Sequence, residues 1–293
     1  MENIKLTYGG CTAEIKPKGG EIVSFKGPDG REVIWQADPS VWAGHAPVLF
    51  PVIGIVRDGH LNIGGVDYPM TKHGFARNAQ FTVAKQGDDF VELILTPSEE
   101  TRAMYPFDFV FHVTYTLQEN GFTTTFLVEN RSDRPMPFTV GGHPAFCCPM
   151  EDGTAFEDYQ LVFPQAEEGR STLVPGGLMD GYEILADLHD GRVLPLRYEY
   201  FDTRDTLLFT TLKSRSVDLV HKDSGKGLHF AFPKFEALAV WTKPGVHANY
   251  LCLEPWHGTP SAAHDTGRFE DKPFVTILEP GRCYKTWFTA TLI

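Results

Sequence analysis

The chain has 293 residues, of which 42% are hydrophobic and 22% charged, with a net charge of −12. That length and composition allow a large core without a disulfide or metal staple. The acidic balance disfavours nucleic acid and anionic membranes as partners, while leaving room for a small local basic pocket.

The N-terminus, "MENIKLTYGGCTAEIKPKGGEIVSF", has no apolar segment behind a basic one, so no secretory signal peptide is expected. No stretch reaches the length of a membrane span. Short alternating segments then follow, each broken by Gly, Asp, Asn or Pro. "IKLTYGG", "CTAEIKPKGG", "EIVSFKGPDG" and "REVIWQ" read as strands with turns behind them. "HLNIGGVDYPM" reads as a hairpin around Gly64-Gly65, and "AQFTVAKQGDDFVELILTPS" as one turning at Gly87-Asp88-Asp89. "FDFVFHVTYTLQENGFTTTFLVENRS" alternates cleanly and turns on Asn120-Gly121, the strongest short-range hairpin signal. Only "EETRAMY" and "GGLMDGYEILA" offer a turn or two of helix. The stretch from Cys147 to Asp202 reads as long loops. "DTLLFTTLKSRSVDLVHKDSGKGLHFAFPKFEALAVWTKP" supplies three or four strands, and "PFVTILEPGRCYKTWFTATLI" two more. No linker divides the chain. Residues 1–293 are therefore read as one all-β domain, a large antiparallel sandwich with few short helices.

The five cysteines, Cys11, Cys147, Cys148, Cys252 and Cys283, show no spacing that points to zinc. They read as reduced thiols of a cytoplasmic protein.

Several ionisable groups sit where the pattern expects core or turn. Arg57 ends the apolar run "PVLFPVIGIV"; alone it reads as a surface arginine of the turn "RDG". His73 and Arg77 flank Gly74-Phe75-Ala76 in "TKHGFAR", the chemistry of a polar pocket. His143 follows two glycines in "VGGHPAF"; it is a core histidine held by a carbonyl, or a functional one beside backbone that something approaches closely. Asp202 and Asp205 precede an apolar strand and read alone as turn residues. In "LCLEPWHG", Glu254 follows three buried-type residues. A carboxylate there is costly to ionise unless compensated; it caps a turn, pairs with an arginine, or works as a base. No nucleophile elbow, phosphate-binding glycine loop or zinc-helix motif is present. What remains is a histidine and a carboxylate as an acid–base pair, with arginines to bind or stabilise charge.

"PVIGIVRDG", "HGFAR", "GGHPAF" and "CLEPWHG", in this order and spacing, resemble the aldose 1-epimerase (galactose mutarotase-like) superfamily, in particular its bacterial LacX-like branch. The resemblance spans nearly the whole chain. It implies a β-supersandwich and interconversion of the α and β anomers of a free aldose, with a small sugar as substrate and no cofactor. It implies Glu254 as catalytic base and His143 as catalytic acid. His73 and Arg57 are implied as substrate-binding residues, and more loosely Asp205. Trp256, or Phe75, would offer a stacking face for the sugar. The segment "GIVRDG" is shorter than its counterpart in galactose mutarotases. Arg77 is shared instead with hexose-6-phosphate epimerases, which leaves a sugar phosphate as the alternative substrate. A non-catalytic sugar-binding protein would not need both His143 and Glu254. A hydrolase would want a carboxylate pair, for which Asp205 and Glu254 could stand. The pair predicts a bell-shaped pH profile with one carboxylate limb and one histidine limb.

Overall fold

The computed structural model describes residues 2–293. Two large antiparallel sheets carry the fold. The first has nine strands, in the spatial order 193–195, 159–162, 216–221, 227–231, 283–292, 121–130, 109–118, 90–95 and 82–86. The second has eight. Seven run in the order 182–184, 170–172, 207–209, 237–241, 250–257, 140–142 and 48–49, and Ala145–Cys147 also pairs with Tyr250–His257. A three-stranded sheet of residues 4–8, 11–16 and 21–26 and two small two-stranded ribbons complete the strands. Among the described residues only Glu99–Met104 and Tyr198–Arg204 are α-helical.

The hairpins lie where the turn residues predict them. In Phe109–Gln118 and Gly121–Asn130, alternate side chains are buried. The loop between them is Glu119-Asn120, one residue earlier than expected, with Asn120 at φ 60°. Gly121 is already strand. A side chain there would strike the Ala290 carbonyl of the neighbouring strand. Glu99–Met104 is capped by Ser98, whose side chain accepts from the Thr101 N–H. The segment "GGLMDGYEILA" forms no α-helix; it holds the strand Tyr182–Ile184.

The core fills the space between the two large sheets. Phe111 of the nine-stranded sheet stacks on Phe50, 4.6 Å between ring centres. Phe230 meets Phe146, and Phe163 meets Phe209. The second sheet is unusual in being covered on its other face too. Every residue of Tyr250–His257 is buried. Leu251 and Leu253 enter the main core, while Cys252 and Trp256 belong to two separate apolar clusters behind the sheet. The period of two puts Cys252, Glu254 and Trp256 on that outer face together. The neighbouring strand faces Glu254 with Ala239, a small residue that leaves room.

The outer face is roofed by loops, and Gly74 fixes one of them. It stands at φ +74°, and a Cβ would land on the Phe50 carbonyl. That carbonyl accepts the N–H groups of Phe75 and Ala76 at 3.1 and 3.2 Å. Gly74→Ala should therefore cost more than the ~1–2 kcal/mol of a left-handed backbone alone. Urea denaturation should show a lower midpoint; an unchanged midpoint would mean that the loop adapts freely.

Candidate active site

A cavity of about 330 Å³ opens on the outer face of the eight-stranded sheet. Glu254 and Trp256 line it from the central strand, and Trp241 from its neighbour. His143 enters between Val140–Gly142 and Ala145–Cys147, where its backbone N–H donates to the Pro47 carbonyl at 3.0 Å. The glycine pair before it does serve close approach, but of protein groups. A side chain at Gly141 would meet Trp256, and one at Gly142 would meet Phe288.

His143 Nε2 lies 3.2 Å from Glu254 Oε2. The approach is off line for a hydrogen bond. Glu254 Oε2, His143 Nδ1 and Trp256 Nε1 are all buried without a hydrogen-bond partner among the described residues. Unsatisfied buried polar groups are expensive, and three in one cavity point to a polar ligand that completes them. Burial pushes the Glu254 carboxyl well above its ordinary range, against the lowering pull of the Lys72 charge. Burial pushes the His143 ring down to about 3, helped by Arg77. Both shifts favour the neutral forms of the two groups.

His73 stands at φ +65°, its backbone N–H donating to the Gly54 carbonyl at 2.9 Å. Its Nδ1 accepts the Gly54 N–H at 3.1 Å. In the neutral ring Nε2 then carries the proton. Burial, with the charges around it, keeps this histidine well below its usual value.

Asp205 reaches the cavity by a strained turn. The Thr206 N–H donates to the Arg204 carbonyl at 2.7 Å, which closes three residues around Asp205 at φ 63° and ψ −59°. Such a turn is rare for a residue with a side chain, and strain of this kind gathers at functional sites. The helix before it, Tyr198–Arg204, went unread in the sequence.

Of the seven residues singled out in the sequence, six line the cavity: Glu254, His143, His73, Arg77, Asp205 and Trp256. Arg57 does not. It lies 3.3 Å from Asp265, donates to the Ala263 carbonyl at 3.4 Å, and so ties the loop after the central strand. The structure thus gives Arg57 a tie within the loop and does not place it in the cavity lining. Phe75 likewise turns into the core, stacked on Phe109 and edge-on to Phe50.

The sequence reading missed Trp42, Lys72, Trp241 and Lys243, which also line the cavity. Trp42 stacks on the His143 ring at 5.1 Å, and Trp241 meets it edge-on at 5.6 Å. Trp42→Ala should let water reach His143. The ring should then titrate higher, toward the ordinary ~6.5. An NMR titration of His143 that does not move would show that Trp42 plays no part in its desolvation.

The chain matches the aldose 1-epimerase family over residues 2–287. It is 34% identical over 301 residues to the chromosomal LacX protein of Lactococcus lactis subsp. lactis, covering 99% of each chain. Among solved structures, it is similar to a galactose mutarotase related enzyme from Lactobacillus acidophilus, with 29% identity and a TM-score of 0.93 over 99% of this chain and 97% of that one. A galactose mutarotase-like protein from Lactobacillus casei gives 27% identity and a TM-score of 0.92, over 99% and 100%.

Proposed function

The chain belongs to the aldose 1-epimerase family of isomerases, and from that premise we propose that it interconverts the α and β anomers of a free hexose through Glu254 and His143. The observation that carries this reading is the cluster of three unpartnered buried groups, Glu254, His143 and Trp256, in one cavity. A sugar supplies hydroxyls and a ring oxygen that satisfy them.

In the proposed reaction, carboxylate Glu254 takes the proton of the anomeric hydroxyl while protonated His143 gives one to the ring oxygen. The C1–ring oxygen bond breaks and C1 becomes an aldehyde. Rotation about C1–C2 presents its other face, and the ring closes with both proton transfers reversed. Each positioned partner contributes roughly 10²- to 10⁴-fold. During the open-chain stage Glu254 holds the proton and His143 is neutral. That is the form that burial favours. Closure returns Glu254 to carboxylate and His143 to its protonated form, ready for the next sugar. The Lys72 charge assists by favouring the carboxylate. His73, donating from Nε2, and Asp205, accepting, hold other hydroxyls.

Polarimetry on freshly dissolved α-glucose and α-galactose, with their 6-phosphates in parallel, tests the reading. Faster mutarotation of a free sugar supports it. No acceleration with any of the four would leave a sugar-binding role instead.

A second reading is favoured by one specific observation. Lys72 and Arg77 line the cavity, and no carboxylate lies within ion-pair distance of either among the described residues. In a chain with 38 acidic side chains against 26 basic ones, two uncompensated cations at one opening suit an anionic substituent such as a sugar phosphate. Arg77→Ala separates the two. With a phosphosugar as substrate, its KM should rise about 10- to 100-fold while turnover of the free sugar hardly changes. With a free hexose as substrate, the variant should lose free-sugar turnover, and the 6-phosphate should never exceed its parent in kcat/KM.

A further inference from the structure

The proposed proton transfers give no task to the thiol beside the pair. Cys252 lies two residues before Glu254 on the same face of the central strand and is fully buried. A nitrogen of His143, the Cys252 sulfur and an oxygen of Glu254 all lie within 4.8 Å of one another. We propose that these three side chains form an inhibitory site for a thiophilic divalent cation of the zinc class, which competes with the sugar for the cavity.

The donor set is the first argument. One imidazole nitrogen, one thiolate and one carboxylate suit Zn²⁺ or Cd²⁺ and not Mg²⁺, which prefers oxygen alone. Geometry is the second. Tetrahedral zinc with bonds of roughly 2.0–2.3 Å needs ligand atoms roughly 3.5 Å apart. His143 and Glu254 already stand 3.2 Å apart, and the Cys252 sulfur lies within 4.8 Å of both. Unmet bonding capacity is the third. Glu254 Oε2 is buried and unpartnered. Charge is the fourth. Coordination takes Cys252 as thiolate and Glu254 as carboxylate, their protons passing to solvent. Two negative charges then balance one divalent cation, so the buried complex is neutral. Around it, Lys72, Arg77 and Lys243 oppose the entry of a cation, while Asp205 at the opening favours it. The fourth coordination position would be taken by water. The cation would occupy both members of the proposed acid–base pair and so stop turnover.

The first test needs no sugar and so stands apart from the epimerase reading. Cd²⁺ added to the metal-stripped protein should give a thiolate-to-cadmium absorption band in the ultraviolet. Cys252→Ala should remove it, while Cys283→Ala, at the exposed thiol, should keep it. The second test is kinetic. Zn²⁺ should raise the apparent KM for sugar without lowering kcat, and Mg²⁺ should do neither. Cys252→Ala should keep its metal-free turnover and lose zinc sensitivity by at least about tenfold. Cys252→Ser serves as the second variant if alanine impairs folding. A band and a zinc sensitivity that survive both substitutions overturn the proposal. So does a wild-type protein that gives no band and no inhibition. A cadmium band without any sugar turnover would retain the metal site and defeat the epimerase reading alone.

Discussion

Glu254→Gln is expected to abolish anomer interconversion, by about 10³-fold or more, and to leave the fold and sugar binding in place. The loss follows from chemistry: an amide of nearly the same shape cannot take the proton of the anomeric hydroxyl. The retained fold follows from burial. Glu254 is only 2% exposed, and desolvation favours its neutral form. Glutamine matches that neutral form, so thermal unfolding near neutral pH should change little. Sugar affinity should persist because His73, Asp205 and Trp256 are untouched. The measurement is kcat by polarimetry beside sugar binding by calorimetry. A variant within a few-fold of the wild-type rate would remove Glu254 as the base and leave it a structural carboxylate.

Why this glutamate was visible in the sequence, and its surroundings were not, is a matter of range. Hairpins announce themselves locally, through alternation and turn residues, and those of residues 82–95 and 109–130 were readable. A carboxylate in an unbroken buried strand is a local anomaly too, so Glu254 stood out. But Tyr250–His257 is buried on both faces, and unbroken burial hides the alternation that sets Glu254 apart from Leu253. Which face is core and which is cavity depends on loops far along the chain. Trp42 and Lys72 are nearly two hundred residues before the strand they roof, and no local pattern links them to it. The same limit hid the tie of Arg57 to Asp265, which is equally distant. Cys252 drew no metal reading because its partners, His143 and Glu254, form no ligand spacing along the chain. The helix Tyr198–Arg204 was hidden for another reason. Its "YEYFDTR" is rich in aromatic residues that favour strands, and Arg197 before it provides no side-chain cap.

The pH profile is where structure and sequence expectation part most sharply. From residue types alone, a carboxylate limb and a histidine limb should close a narrow bell. In the folded protein the two groups exchange limbs, because burial lowers the histidine and raises the carboxylate. The pair works while it holds one proton. It gains a second only when His143 protonates, and burial puts that at about 3. It loses its only proton when Glu254 finally ionises, and burial moves that well above the ordinary carboxylate range. No step near the ordinary histidine value of ~6.5 should therefore come from His143, and the alkaline limb should belong to Glu254. His143→Asn should remove the chemical step at every pH, by about 10²-fold or more. It also carries a readout that a mere packing role would not move. A histidine whose folded pKa is depressed costs stability as pH falls from ~6.5 toward its folded value, because only the unfolded chain takes up the proton. Asparagine takes up none. Acid unfolding followed by circular dichroism should accordingly be less steep in His143→Asn than in the wild type, the more so because His143 also helps depress the neighbouring His73. A wild-type rate that steps near pH 6.5, together with identical acid unfolding of the two proteins, would mean that His143 titrates as an ordinary exposed histidine and is not the desolvated partner of Glu254.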